Sequence, residues 1–310
     1  MIYRELGATG LRVSILGYGA SPLGGEFGPI DEEEGVRTVH AALDSGINYF
    51  DVAPYYGRTR AESVLGRALR TIPRESYILA TKVGRYDRDQ FDFSADRVAR
   101  SVEESLQRLG VETVDVIQCH DIEFGSLNQI IEETLPSLER LRQQGKVRFI
   151  GITGYPLHIF RYVLPRARVD TVLSYCRYTL CNTDLENLLP WFQQQKLGVV
   201  NASPLAMGLL TDAGPPPWHP APAALKMAAA RAAAFCHEQG KDLSELALQF
   251  ALANPAIHVT LVGMADRKTL EKNLRCVGVM PDLQLLGKVR GFFQTVVTTW
   301  PSGRPENQDR

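Results

Sequence analysis

Four residues whose side chains could move a proton together stand in the first half of the chain: Asp51, Tyr56, Lys82 and His120. A free tyrosine has a pKa of about 10, and a lysine ammonium group in contact with it favours the phenolate and lowers that value. Asp51 would hold Lys82 charged and oriented. We therefore predict that Tyr56 exchanges a proton with a substrate oxygen near neutral pH, and that His120 donates a hydrogen bond to that oxygen.

Short apolar runs lead into Asp51, Lys82 and His120, and such runs are typical of buried strands. Strand-like and helix-like segments alternate onward from residue 15, and eight strands are counted between residues 15 and 262. This alternation favours an α/β fold with a parallel sheet, and eight repeats favour a closed (β/α)8 TIM barrel. The polar residues that follow successive strands would then share one end of the barrel, where such enzymes place their active sites.

The remaining segments fit one barrel domain over residues 1–310. Residues 4–13 predict an N-terminal β-hairpin, and the proline-rich residues 213–220 predict a loop insertion after the seventh strand. We expect the polar tail after Trp300 to fray. An open, doubly wound sheet would need a glycine-rich phosphate loop after its first strand, but residues 17–22 begin like that motif and end in proline.

Composition narrows the class of partner. The formal net charge of −1 at pH 7 gives no reason to expect binding to nucleic acid or to a membrane surface. The N-terminus does not resemble a signal peptide, and the five cysteines are scattered without a C-x-x-C motif, so we expect reduced thiols and a cytoplasmic location. No residues have metal-ligand spacing, and a serine hydrolase motif is missing from the sequence. A monomer and a homodimer remain equally compatible with the sequence.

Residues 51–57 read DVAPYYG and resemble the D-T-A-x-x-Y-G signature of aldo-keto reductases. Lys82 and His120 fall where that family keeps the rest of its catalytic tetrad, and the resemblance covers residues 3 to about 303. It implies hydride transfer to or from a nicotinamide cofactor. Five further segments resemble a group of plant aldo-keto reductases that oxidise L-galactose with NAD: residues 19–24, 120–127, 203–211, 218–220 and 299–303.

The resemblance implies oxidation of the anomeric carbon of an aldose, with L-galactose and its 1,4-lactone as the first choice and NAD as hydride acceptor. Asp121, Trp218 and His219 would contact the sugar together with His120, although a structural role for His219 is equally compatible. Residues 177–180 resemble instead the threo-aldose dehydrogenases, so L-fucose, D-arabinose or a D-threo-aldose remains an alternative substrate. A non-catalytic nucleotide-binding barrel that regulates a partner is the alternative from another class.

The cofactor would lie against the loops after several strands. The wider family binds the nicotinamide carboxamide with a Ser-Asn pair and a Gln, where this chain has Thr153-Gly154 and Tyr175. Tyr175 could stack on the ring or face the core. Loops after the seventh and eighth strands suit phosphate groups. The expected cofactor residues are Thr153, Tyr175, Ser203, Pro204, Leu205, Met207, Gly208, Leu209, Gly263, Met264, Asp266, Glu271 and Asn273.

The loop after the eighth strand predicts NAD rather than NADP. Family members that use NADP place basic side chains around the extra phosphate, and the matching positions here are Gly263 and Thr269. Asp266 adds a negative charge that would repel that phosphate. Arg267 and Lys268 could permit NADP, but we expect both to point into solvent because they open a helix.

Overall fold

Two sheets form the frame of the protein in this computed structural model, which describes residues 1–309. A small sheet pairs β1 (Tyr3–Glu5) with β2 (Arg12–Ser14) in antiparallel register. A closed barrel of eight parallel strands follows, and its strands are β3 (Leu16–Gly19), β4 (Tyr49–Asp51), β5 (Ile78–Val83), β6 (Val114–Cys119), β7 (Val147–Gly154), β8 (Thr171–Tyr175), β9 (Gly198–Ala202) and β10 (Val259–Gly263). The hairpin and the barrel confirm the predicted fold.

Helices follow the barrel strands and cover the outside of the barrel. They are α1 (Glu32–Asp44), α2 (Arg60–Leu69), α3 (Ala95–Leu109), α4 (Leu127–Gln129), α5 (Leu135–Gln143), α6 (His158–Val163), α7 (Leu189–Gln194), α8 (Ala223–Glu238), α9 (Leu243–Ala253), α10 (Arg267–Leu274) and α11 (Leu283–Gly291). Aspartate side chains accept backbone N–H groups at the start of four of them, at Asp31, Asp242, Asp266 and Asp282. Among residues 1–309, no helix is long and apolar enough to cross a bilayer.

The hairpin closes the amino-terminal end of the barrel. Its buried side chains Leu6, Leu11 and Val13 pack with residues that point into the barrel from the strands. Gly7 sits so close to the start of β9 that a Cβ atom there would lie 2.3 Å from the Gly198 nitrogen, so only glycine fits. Because this end is plugged, the carboxyl end of the strands is the open one, and the site must form there.

The chain after Trp300 packs against the barrel, so the prediction that it frays is wrong. The Trp300 ring stacks on the Tyr155 ring with 4.8 Å between centroids. Further along, Asn307 is buried, and its amide donates to the carbonyl oxygens of Glu123 and Gly125, each at 2.9 Å. The polar composition that suggested fraying instead supplies hydrogen bonds to loop backbone.

Candidate active site

Lys82 and Asp51 form a buried ion pair at the open end of the barrel. The Lys82 ammonium donates to Asp51 Oδ1 and, at 2.9 Å, to the Val52 carbonyl oxygen. Gln118 donates to the second Asp51 oxygen at 2.9 Å. Burial alone would lower the pKa of Lys82, but Asp51 and then Tyr56 outweigh it and raise that pKa. Lys82 therefore stays charged inside the barrel.

Tyr56 lies in the loop after β4, and a close approach of two glycines fixes this loop. A Cβ atom on Gly57 would lie 2.3 Å from the Gly24 carbonyl oxygen, and one on Gly24 would lie 2.6 Å from the Tyr56 carbonyl carbon. The Lys82 Nζ is 4.9 Å from the centroid of the Tyr56 ring. The ring also meets His120 edge-on, with 5.6 Å between centroids. The structure therefore brings the four predicted catalytic residues together.

The protonation state of Tyr56 differs from the sequence-based expectation. Burial raises the pKa of Tyr56 to about 12, and the nearby Lys82 charge offsets only part of this effect. The prediction of a tyrosine that is acidic near neutral pH is therefore wrong. Removing the phenol from water penalises the phenolate more than one paired lysine stabilises it, so Tyr56 holds its proton at neutral pH.

His120 is a neutral imidazole. Burial lowers its pKa to about 3; Asp121 opposes this, whereas Lys82 and Arg85 add to it. The His120 Nε2 lies 3.7 Å from Asp121 Oδ2, and within residues 1–309 its Nδ1 has no hydrogen-bond partner. A neutral ring beside Tyr56 can donate one hydrogen bond to a substrate oxygen without adding a charge.

Arg85, which the sequence reasoning missed, pairs with Asp121 beside His120. One Arg85 nitrogen donates to Asp121 Oδ2 at 2.5 Å. The guanidinium carbon lies 3.9 Å from the centroid of the Tyr55 ring, and the Phe91 and Phe124 rings lie at 5.2 and 5.4 Å. Arg85 follows β5 directly after Val83-Gly84, so its place just past a strand end was the signal that could have identified it.

A cleft of about 360 Å³ leads away from Asp51 and Tyr56 and ends at Asp266 and Thr269. Seven of the predicted cofactor residues line it: Ser203, Pro204, Leu205, Met207, Gly208, Gly263 and Asp266. Residues 27–30, together with Ser21 and Pro22, also line the cleft. The sequence did not lead us to assign these six residues to cofactor binding, although Ser21 and Pro22 lie in residues 19–24, one of the segments that carried the family resemblance.

The other predicted cofactor residues lie outside this cleft. The side chains of Leu209 and Met264 are buried in the core, so only their backbone could contact a ligand. The Thr153 hydroxyl accepts from the Asp121 N–H at 2.8 Å and is therefore already engaged. Glu271 and Asn273 lie on α10; Glu271 is exposed, whereas the Asn273 amide nitrogen is buried and, within the described residues, has no partner.

The backbone of the cleft fits a dinucleotide. The loop after β9 holds Ser203, Ala206 and Met207 at positive φ angles of 54°, 47° and 52°, and strained backbone of this kind clusters at ligand sites. Within residues 1–309, the buried Asn273 amide nitrogen has no hydrogen-bond partner, and Asn273 follows Thr269, which lines the cleft, by four residues on α10. Residues lining the cleft could hold the phosphates, and Asn273 and its neighbours could hold the adenosine.

Two acidic side chains meet at the start of α10. Asp266 caps the helix and accepts from the Thr269 N–H and hydroxyl, each at 2.8 Å. Glu34 of α1 accepts from the Arg267 N–H at 3.2 Å. Arg267 and Lys268 are exposed. Glu34 is paired with Arg37 at 2.9 Å, so the negative charge at this end of the cleft comes chiefly from Asp266.

The insertion after β9 reaches over the cleft. Trp218 is half-exposed, and its ring lies 5.8 Å from that of Phe27, which lines the cleft. The buried His219 uses both ring nitrogens: Nε2 bonds the Ala206 carbonyl oxygen at 2.9 Å, and Nδ1 accepts from the Ala221 N–H at 3.0 Å. Since neither nitrogen is left for a sugar, the structure favours the structural role for His219.

The barrel and its tetrad define a class of protein, and comparison with known families agrees. Residues 15–282 match the Aldo/keto reductase family model, and the chain belongs to this family. It is 51% identical to an L-galactose dehydrogenase of Arabidopsis thaliana over 98% of both chains. It is 30% identical to a D-threo-aldose 1-dehydrogenase of Pseudomonas, over 86% of this chain and 90% of the relative. The solved structure of an aldo-keto reductase from Bacillus halodurans in its holo form superposes with a TM-score of 0.78, at 27% identity and complete coverage of both chains.

Proposed function

We propose that this protein oxidises the anomeric carbon of L-galactose to the 1,4-lactone and passes the hydride to NAD. The observation that carries the proposal is the placement of Tyr56, beside the buried Lys82–Asp51 pair, at one end of the cleft that ends at Asp266. The choice of sugar rests on the 51% identity to a relative named for L-galactose.

In this proposal Tyr56 exchanges the proton of the anomeric hydroxyl. Oxidation removes a hydride from the carbon and a proton from the oxygen. Tyr56, which is partly exposed in the cleft, first releases its own proton to solvent; Lys82 stabilises the phenolate, which then accepts the proton of the anomeric hydroxyl. His120 donates a hydrogen bond that orients the sugar oxygen. When bound, NAD supplies the hydride acceptor at C4 of its nicotinamide ring. In the reverse direction Tyr56, which holds its proton at neutral pH, donates it to the carbonyl oxygen.

Sugar recognition is assigned to Arg85 and Asp121. The pair lies beside His120 and presents charged hydrogen-bonding groups among three aromatic rings. Sites that bond sugar hydroxyls reject the wrong configuration because a buried polar group then loses its partner. Trp218 and Phe27 would cover the site from the loops above it.

NAD is proposed over NADP because Asp266 lines the cleft at the start of α10. A phosphate on the adenosine ribose carries close to two negative charges, and the Asp266 carboxylate would repel it. Arg267 and Lys268 are exposed and make no ion pair within residues 1–309 that would fix them over the cleft. We also propose that the enzyme is cytoplasmic, which suits five free cysteines.

The alternative aldose rested on residues 177–180, but Arg177 is buried and engaged elsewhere. It donates to Asp184 at 2.8 Å and to Asp309 at 2.5 Å. The Arg177 side chain therefore helps to hold the C-terminal segment. L-fucose and D-arabinose stay in the substrate test because relatives named for other aldoses also match the chain.

Initial rates on a panel of aldoses test the proposal. L-galactose, D-galactose, L-fucose and D-arabinose are each assayed with NAD and with NADP, and NMR identifies the product. We expect L-galactose with NAD to give the highest kcat/KM and a lactone as product, with Tyr56→Phe as the inactive control. A preference for D-galactose would refute the choice of sugar, and inactivity on every aldose would favour the regulatory barrel.

A further inference from the structure

A buried glutamate lies behind the active site and takes no part in the proton transfer described above. Glu123 follows Asp121 in the loop after β6, and its side chain is fully buried. Its Oε1 atom accepts three hydrogen bonds: from the Tyr155 N–H at 3.2 Å, the Tyr175 hydroxyl at 3.0 Å and the Ser302 hydroxyl at 3.1 Å. Its Oε2 atom has no partner within residues 1–309.

Gly154 makes the space that Glu123 occupies. A Cβ atom at residue 154 would lie 2.6 Å from Glu123 Oε2 and 2.1 Å from Ile159 Cδ1. Gly154 and Tyr175 are the positions where this chain departs from the Ser-Asn pair and the Gln of its wider family. Gly154 and Tyr175 therefore both lie against the Glu123 carboxyl group, which indicates that these three residues form one unit.

Tyr175 connects this unit to the site. It ends β8 and is partly exposed at the barrel mouth. Burial raises its pKa, as do Glu123 and Asp121, whereas Arg85 acts in the other direction. The tyrosine thus lies within electrostatic reach of the Arg85–Asp121 pair. Ser302 brings the C-terminal segment to the same carboxyl group, and its hydroxyl lies 3.4 Å from that of Tyr175.

We propose that Glu123 is a positioning residue, which holds Tyr175 and the segment around Ser302 in the arrangement that the nicotinamide end of the cofactor requires. The proposal rests on the proposed function insofar as the cofactor is a nicotinamide dinucleotide. Glu123 itself touches neither substrate nor cofactor, because its side chain is closed off from solvent.

The network depends on a neutral carboxyl group. Burial, and then Asp121, raise the pKa of Glu123 to about 8. Above that pH a charged Oε2 would lie buried without a donor, which is unfavourable. The titratable or charged residues that face Glu123 from the surrounding elements are Asp121, Tyr155, Tyr175, Arg85, Arg177, Arg304 and Asp309. Within residues 1–309, none of the three cations among them, Arg85, Arg177 and Arg304, donates a side-chain hydrogen bond to Oε2, so the arrangement around Glu123 should become less stable as Glu123 ionises.

The experiment measures the dissociation constant of NAD by quenching of intrinsic fluorescence, at pH 6.5 and at pH 9.5. Glu123→Gln keeps an acceptor oxygen and cannot ionise, whereas Glu123→Ala removes the acceptor. Tyr175→Phe removes the hydroxyl, and Tyr178→Phe, a buried tyrosine stacked on Phe250, is its matched control. Circular dichroism verifies that each variant folds.

We expect the wild-type Kd to rise at least threefold between the two pH values. Glu123→Gln should match the wild type at pH 6.5 and stay within twofold at pH 9.5, while Glu123→Ala and Tyr175→Phe should bind more weakly at both. An unchanged pH dependence in Glu123→Gln would overturn the proposal, even if Glu123→Ala fails to fold. Wild-type activity on aldoses tests the function separately, and a wild-type protein that binds no dinucleotide would overturn both.

Discussion

Replacing Lys82 with methionine would leave the Asp51 carboxylate buried with a single side-chain donor, Gln118. Asp51 and Lys82 have side chains that are 4% and 1% exposed, so water cannot replace the lost ammonium group. Removing one member of a buried ion pair typically costs about 3–5 kcal/mol. Because whole domains are stable by only about 5–15 kcal/mol, we expect a large fall in the urea midpoint of Lys82→Met.

The double variant Asp51→Asn/Lys82→Met separates structure from catalysis. Its amide is neutral and can still accept a hydrogen bond from Gln118, so most of the lost stability should return. Activity should not return, because Tyr56 would lie in a buried site without the positive charge that stabilises its phenolate. We expect a loss of about 10²–10⁴-fold in kcat for both the single and the double variant.

Urea unfolding and steady-state kinetics on the same preparations decide between the two roles. If the Asp51–Lys82 pair only stabilises the barrel, activity should follow stability in both variants. Recovery of both stability and activity in the double variant would therefore refute the catalytic role of Lys82. An unstable double variant would show instead that the buried charges are not the source of the loss.

Tyr56→Phe should lower kcat by about 10²–10⁴-fold and leave the Kd of NAD within twofold, because the ring can still pack; a variant that keeps a tenth of the rate would contradict this role. NADP should bind at least tenfold more weakly than NAD, and Asp266→Asn, which can still cap α10, should narrow that gap. Tighter NADP binding that Arg267→Ala abolishes would show that Arg267 governs the site. The raised pKa of Glu123 means that the native state binds more protons than the unfolded state between about pH 4.5 and 8. Wild-type stability should therefore fall over this range relative to that of Glu123→Gln in urea titrations, and parallel curves would contradict the shift.

The barrel and the tetrad could be predicted because both follow from local sequence. Each strand is a short apolar run, and parallel strands in a barrel bring their carboxyl ends to one face. Asp51, Lys82 and His120 were therefore expected to converge before any contact was known. Tyr56 followed from its short distance in sequence to Asp51.

Long-range contacts could not be read from the sequence. The Ser302 hydroxyl donates a hydrogen bond to Glu123, which lies 179 positions earlier in the chain. The sequence of the tail does not indicate that Ser302 contacts a buried carboxyl group. The start of α3 shows the same limit: within residues 1–309, Ser94 stands at the N-cap without a side-chain hydrogen bond, and Glu133, 38 positions away, accepts the Ala95 N–H at 2.7 Å. The pKa of Tyr56 was also mispredicted because the extent of burial depends on how the loops close over it.

Burial moves two groups of the site, and Glu123 behind it, toward their neutral forms. It raises the pKa of Tyr56 and of Glu123 and lowers that of His120. The full charges that remain at the barrel mouth are paired, Lys82 with Asp51 and Arg85 with Asp121. Oxidation of a sugar to a lactone removes a hydride and a proton and leaves a neutral product. A site with neutral hydrogen-bond donors, flanked by two ion pairs whose charges cancel, suits this reaction. Within that site, Lys82 is placed to stabilise the phenolate when Tyr56 gives up its proton, which is why its charge, rather than its packing, should limit the rate.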